Sequence, residues 1–139
     1  MRQIDKNFFF FALPVNDVYG HDEGDELLKE FSKILLRTFR RSECVGRLGG
    51  DEFMVLVDNS ELVNIENIKN RLQQNIEEFN KKNNKPWKIE VSYGVLKYTI
   101  GNVMDKQKFY SSIDKLLYVD KKRRKESKLQ RNRAYASTW

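Results

Sequence analysis

The chain has 139 residues, 40% of them hydrophobic and 33% charged, which suits one domain with a real core. No apolar run approaches the ~18 residues of a membrane helix, Met1-Arg2 is not followed by the apolar stretch of a secretory leader, and the single cysteine, Cys44, excludes an internal disulfide and argues against a cysteine metal site. The expected setting is cytoplasmic. The net charge of +6 is uneven: nine Lys/Arg against two acids, Asp120 and Glu126, fall between Lys115 and Arg133. Such a stretch suits phosphates, nucleic acid or an anionic surface, and equally a solvated helix end with a frayed tail.

Lys6 to Val15 is short, aromatic and aliphatic, and ends at Asn16-Asp17, which predicts a buried strand. A helix opens at Asp22 or Gly24, with Leu27, Leu28, Phe31, Ile34, Leu35 and Phe39 at helical spacing through Arg40. Two short apolar runs, Cys44 to Leu48 and Phe53 to Asp58, flank Gly49-Gly50-Asp51-Glu52 and predict a hairpin. Asn59-Ser60 supplies a cap for a long helix striped by Ile65, Ile68, Leu72, Ile76 and Phe79. After a polar turn, Trp87 to Tyr98 alternates as a strand with Ile89, Val91, Tyr93 and Val95 on one side. Phe109 to about Lys125 predicts a last helix burying Ile113, Leu116, Leu117 and Val119, followed by an aperiodic basic tail. The order β-α-β-β-α-β-α predicts an α/β (α+β) sandwich on a largely antiparallel sheet.

Chemistry concentrates at the hairpin. Two glycines open backbone conformations closed to other residues and let a ligand approach. Adjacent carboxylates can grip a hard divalent cation, which can bind nucleotide phosphates and neutralise charge during phosphoryl transfer. Taken alone, Gly-Gly-Asp reads more readily as an ordinary turn with soluble acidic tips.

Its surroundings decide otherwise. Asn16-Asp17-x-Tyr19-Gly20-His21-x-x-Gly24-Asp25 precedes Arg47-x-Gly49-Gly50-Asp51-Glu52-Phe53, and Ser92-Tyr93-Gly94-Val95 and Ile113-Asp114-x-Leu116-Leu117-Tyr118-x-x-Lys121 follow. Together these closely resemble the GGDEF domain of diguanylate cyclases, from about Phe8 to Lys125. The resemblance implies a nucleotidyl-cyclase-like fold over residues 1–127, with 128–139 a flexible basic tail. It implies condensation of two GTP into cyclic di-GMP and pyrophosphate by two domains meeting face to face, as a homodimer, with Mg2+ (or Mn2+). It also implies a sensory or regulatory partner domain outside this chain. The lack of a long apolar run argues against a membrane segment, and the basic tail has no interleaved aromatics until Tyr135 and Trp139, which argues against a nucleic-acid partner.

By resemblance, Asn16 and Asp25 read the guanine edge, Gly49 and Gly50 let the backbone pass near the phosphates, and Lys121 and Lys125 hold the terminal phosphates. Asp51 and Glu52 are the metal-binding and catalytic acids, and His21 supports the corner. Departures from the family pattern are visible. Counting back from Asn16, the family's first metal-ligand Asp falls on Phe8, and Phe10 and Leu13 replace a second Asp and a Lys. The product-inhibition site has Arg40 but Glu43 in place of Asp, and the family helix ahead of the first strand is absent. Two functions therefore stand: a diguanylate cyclase with weak or lost turnover, or a catalytically degenerate module that binds GTP or cyclic di-GMP and regulates a partner.

Overall fold

The computed structural model describes residues 5–14, 17–39, 44–58, 65–99 and 105–136. Among these residues four strands and three helices follow in the expected order: β1 (Asp5–Ala12), α1 (Gly20–Thr38), β2 (Cys44–Gly49), β3 (Glu52–Asp58), α2 (Ile65–Lys82), β4 (Ser92–Thr99) and α3 (Lys106–Ala136). A single 3-10 turn, Asp17–Tyr19, leads into α1. The sheet runs β2-β3-β1-β4 and every pairing is antiparallel.

The run of four phenylalanines in β1 follows from its central place. A strand covered on both faces has no polar side, so alternation disappears. Phe9, Phe11 and Leu13 enter the main core with Leu27, Phe31, Ile34 and Leu35 of α1 and Leu72 and Ile76 of α2. Phe10 packs on the other face with Ile113 and Leu117 of α3, joined by Phe8, Ala12, Met54 and Phe109. Edge-to-face rings tie the layers together: Phe11 meets Phe31 at 5.8 Å and Phe8 meets Phe109 at 5.6 Å. Such aromatic pairs contribute roughly 0.5–1.5 kcal/mol each beyond the area they bury.

The apolar stripes of α1 and α2 hold as their spacing requires, and Ile89, Val91, Tyr93 and Val95 all turn to the main core. Three expectations change. The ladder of β4 begins at Ser92, not Trp87. Residues 87–91 are pinned by side chains instead: the Asn80 amide donates to the Ile89 carbonyl at 3.0 Å and accepts from the Ile89 N–H at 2.8 Å, and Asn83 donates to the Trp87 carbonyl. Val119 is exposed, not buried, because it lies two residues past Leu117, about 200° around the helix at 3.6 residues per turn. Finally, α3 continues to Ala136 rather than ending near Lys125. Lys, Glu, Leu, Gln, Arg and Ala are good helix formers, so this stretch can stay helical without the apolar period that a packed helix shows. The Asn59-Ser60 cap lies outside the described residues. No helix among the described residues is long and apolar enough to cross a membrane.

Where α3 lies on the sheet is set by one glycine. A Cβ on Gly94 would stand 2.7 Å from the Cβ of Leu116, so the helix rests almost directly on the β4 backbone.

Candidate functional site

The β2–β3 turn is built to be tight and bare. Gly49 (φ +154°) and Gly50 (φ +48°) take backbone conformations that side chains disfavour. The ladder slips by one residue between Arg47 and Gly49, so that Gly49 faces Glu52. Arg47 braces the turn, its Nε donating to the Gly50 carbonyl at 2.7 Å. On the other side the Leu13 N–H donates to the Asp51 carbonyl at 3.0 Å, which ties the turn to the end of β1.

Two recesses flank this turn. One, of about 360 Å³, is bordered by Leu13, Pro14 and Asp51 on the sheet side and by Lys121, Arg124, Lys125 and Lys128 of α3. It sets the acidic Asp51 and Glu90 among four cations, Lys128 lying 3.6 Å from the Glu90 carboxylate, and the excess of positive charge suits a polyanion carrying a divalent cation. Glu52 is in register with Ala12 and shares the parity of Met54, whose side chain lies on the α3 face. The second recess, of about 480 Å³, is bordered by Asp25, Leu28, Lys29 and Ser32 of α1 and by Val45, Arg47 and Phe53 of the hairpin. Arg47 thus reaches from the Gly50 carbonyl to the recess that Asp25 borders.

Of the residues singled out in the sequence, Asp51, Lys121 and Lys125 border one recess, Asp25 borders its neighbour, and Gly49 and Gly50 form the turn between them. His21 is exposed in the first turn of α1. Asn16, Arg40 and Glu43 lie outside the described residues.

Phe8 is the exception. It pairs with Leu56 and Leu96 in the middle of β1, whereas the residue bonded to Asp51 is Leu13. Five residues of strand separate the two, about 16 Å at 3.3 Å per residue. A carboxylate at position 8 would face the phenylalanine cluster under α3, so counting back from Asn16 misplaced the lost ligand. Among the described residues at the end of β1, Ala12, Leu13 and Pro14 border the recess that Asp51 borders, and none of these three carries a side-chain oxygen.

Sequence reasoning gave no role to Asp120 and Arg124. Asp120 Oδ2 accepts the Tyr93 N–H at 2.8 Å and Arg124 Nε at 2.9 Å, and the Arg124 guanidinium lies 5.1 Å from the centre of the Tyr93 ring. Their i,i+4 spacing on a helix was the available signal; it was submerged in the general excess of basic residues.

A Mg2+ or Mn2+ ion fits this donor set in one way only. Among the described residues no group of three potential ligands converges, so no all-protein cage exists among them. Mg2+ is commonly held by one or two carboxylates plus substrate phosphates and water, so the residues here that would hold it are the adjacent acids Asp51 and Glu52.

Comparison with known proteins agrees with this geometry. A family model described as "Diguanylate cyclase, GGDEF domain" matches residues 12–127; the match begins where β1 ends, leaving the phenylalanine run outside it. The chain is 30% identical over 119 residues to Diguanylate cyclase A of Treponema denticola, covering 85% of this chain and 31% of that protein. It is 29% identical over 110 residues to the probable diguanylate cyclase DgcT of Escherichia coli, covering 77% and 24% respectively. The chain thus spans less than a third of the length of these relatives. Among solved structures, the fold matches the diguanylate cyclase SiaD of Pseudomonas aeruginosa, solved with its activator SiaC, at a TM-score of 0.69, with 23% identity, 85% of this chain and 46% of that chain. It matches the active GGEEF domain of a diguanylate cyclase from Vibrio cholerae at a TM-score of 0.63, with 24% identity, 86% of this chain and 78% of that chain.

Proposed function

The chain belongs to the GGDEF domain family, and on that premise we propose that it binds GTP across the turn and condenses it slowly or not at all. The observation that carries this reading is the facing of Asp51 by Lys121 and Lys125 across one cleft. The triphosphate lies there, its charge met by the lysines, with the bare backbone of Gly49 and Gly50 allowing close approach. Asp25, with Asn16, takes the guanine: a carboxylate accepts from the N1–H and the neighbouring exocyclic amine, an adjacent donor pair that adenine lacks because its N1 is an acceptor.

Asp51 and Glu52 would hold Mg2+ or Mn2+, which when bound would supply charge neutralisation for phosphoryl transfer. The protein's own part is to hold that geometry, and here it is weakened. The apolar residues Ala12, Leu13 and Pro14 at the end of β1 support a site short of one carboxylate. Binding tolerates such a loss better than catalysis does, because transition-state charge must be met at a fixed position. Two copies meeting face to face are required for condensation, each presenting one GTP to the other. Cyclic di-GMP binds weakly or not at all at Arg40 and Glu43, glutamate being one methylene longer than the aspartate of the family motif. The setting is cytoplasmic, with a regulatory partner domain outside this chain.

Titration calorimetry with GTP and ATP tests the reading. GTP binds at least tenfold more tightly, and Asp25→Ala removes that preference, each hydrogen bond to a charged group contributing roughly 1.5–3 kcal/mol. Equal affinity for the two nucleotides in the unaltered protein would overturn it.

A further inference from the structure

Arg124 borders the cleft that holds Asp51 and also the groove between α2 and α3, so its guanidinium stands on the ridge they share. It is held there from two sides. Its Nε donates to Asp120 Oδ2 at 2.9 Å, and that carboxylate is itself anchored by the backbone N–H of Tyr93. The Tyr93 ring supports the guanidinium at 5.1 Å. The anchor is sheltered and the arginine is reachable: the Asp120 side chain is 15% exposed and that of Arg124 38%.

This arrangement differs in kind from the neighbouring lysines. An arginine has five N–H donors, and the bond to Asp120 engages Nε, so that bond leaves the two terminal nitrogens available to a ligand. A guanidinium fixed by a carboxylate and an aromatic ring has lost its rotamer freedom before a ligand arrives, and a planar fork matches two phosphate oxygens at once. Lys121 and Lys125, both exposed on α3, offer point charges on flexible stems.

We propose that Asp120 and Tyr93 position Arg124 as the residue that selects a polyphosphate over a single phosphate in this cleft. The inference rests on the nucleotide reading above. Lysines at the wall attract any anion, whereas the fixed fork on the ridge is met only by a chain of phosphates long enough to span from Asp51 to Arg124.

The test is calorimetric titration of GTP and GMP, with magnesium, into the unaltered chain and into Arg124→Lys, Asp120→Asn and Lys121→Ala, with a melting curve for each. Arg124→Lys keeps the charge and the helix but not the fork. The inference predicts that it lowers the ratio of GTP to GMP affinity about tenfold, one charge-assisted hydrogen bond's worth, at an unchanged melting temperature. Asp120→Asn, which retains an acceptor for the Tyr93 N–H, lowers the ratio in the same direction. If Arg124→Lys only lowers the melting temperature and leaves the ratio intact, Arg124 is a staple between α3 and β4 and the inference fails. If Lys121→Ala weakens GTP while both ridge variants bind as the unaltered chain does, the inference fails and the nucleotide reading survives. If no variant alters GTP binding, both fail.

Discussion

At the scale of single residues, Phe8 shows how a motif count and a strand register can disagree. The count along the chain put it where an acidic ligand belongs; the antiparallel register puts it opposite Leu56, with its ring on Phe10 and Phe109. A count assumes that the stretch between strand end and helix start has the family's length. Register does not, because each strand residue is located by its hydrogen-bonded partner. Phe8→Asp is therefore expected to lower stability by about 2–4 kcal/mol, from lost packing and a carboxylate turned into an apolar layer, and to leave GTP affinity and turnover where they were. Chemical denaturation of both forms, with a GTP titration, checks this. A rise in cyclic di-GMP synthesis would return Phe8 to the metal site. The turn that carries Asp51, by contrast, was legible at once, because paired glycines beside paired acids mark a bare, tight turn that a charged ligand can approach.

At the scale of elements, the stripes of α1 and α2 were readable because each helix covers one face of the sheet and its apolar residues must recur every three or four positions. The last helix resisted for the opposite reason. Past Arg124 its described side chains are exposed, so no apolar period marked its course, and only the propensities of its residues carried the helix on. The seat of α3 on β4 was equally hidden, since a glycine's reason lies in what approaches it. Gly94→Ala would drive a methyl group into Leu116, and overpacking of this kind costs about 1–3 kcal/mol. Gly46→Ala is the matched control: it meets nothing within 4 Å, its φ is not positive, and alanine suits a strand no worse than glycine. Thermal melts should show a clear loss for the first and little change for the second. Equal behaviour would mean that α3 does not sit as closely on the sheet as described. The same contact fixes the position of Lys121 and Arg124, so loosening it should also weaken nucleotide binding.

At the scale of the whole molecule, the antiparallel sheet gathers at one end groups that lie far apart in the chain. Asp51 comes from the turn after β2, Leu13 from the end of β1, and four cations from α3. Order and type of elements could be read from the sequence, and so could the family, because its four motifs keep their spacing. Which recess each motif would border could not, since that depends on how β1 and β4 align and on the direction in which α3 leaves the sheet. The charge imbalance acquires a location in the same way: a stretch of α3 that reads as a solvated basic run supplies the wall opposite the acidic turn. On the function proposed above, this cleft would bind a nucleotide triphosphate, and the apolar residues at the described end of β1 would leave turnover short of one group.

Equilibrium dialysis of the intact chain against GTP and Mg2+, followed by mass spectrometry of both chambers, tests that division most directly. The account predicts GTP concentrated on the protein side in a saturable way and recovered intact, with cyclic di-GMP a minor product or none. Cyclic di-GMP as the main species would contradict the claim about turnover, and GTP distributed equally between the chambers would contradict the claim that the cleft binds it.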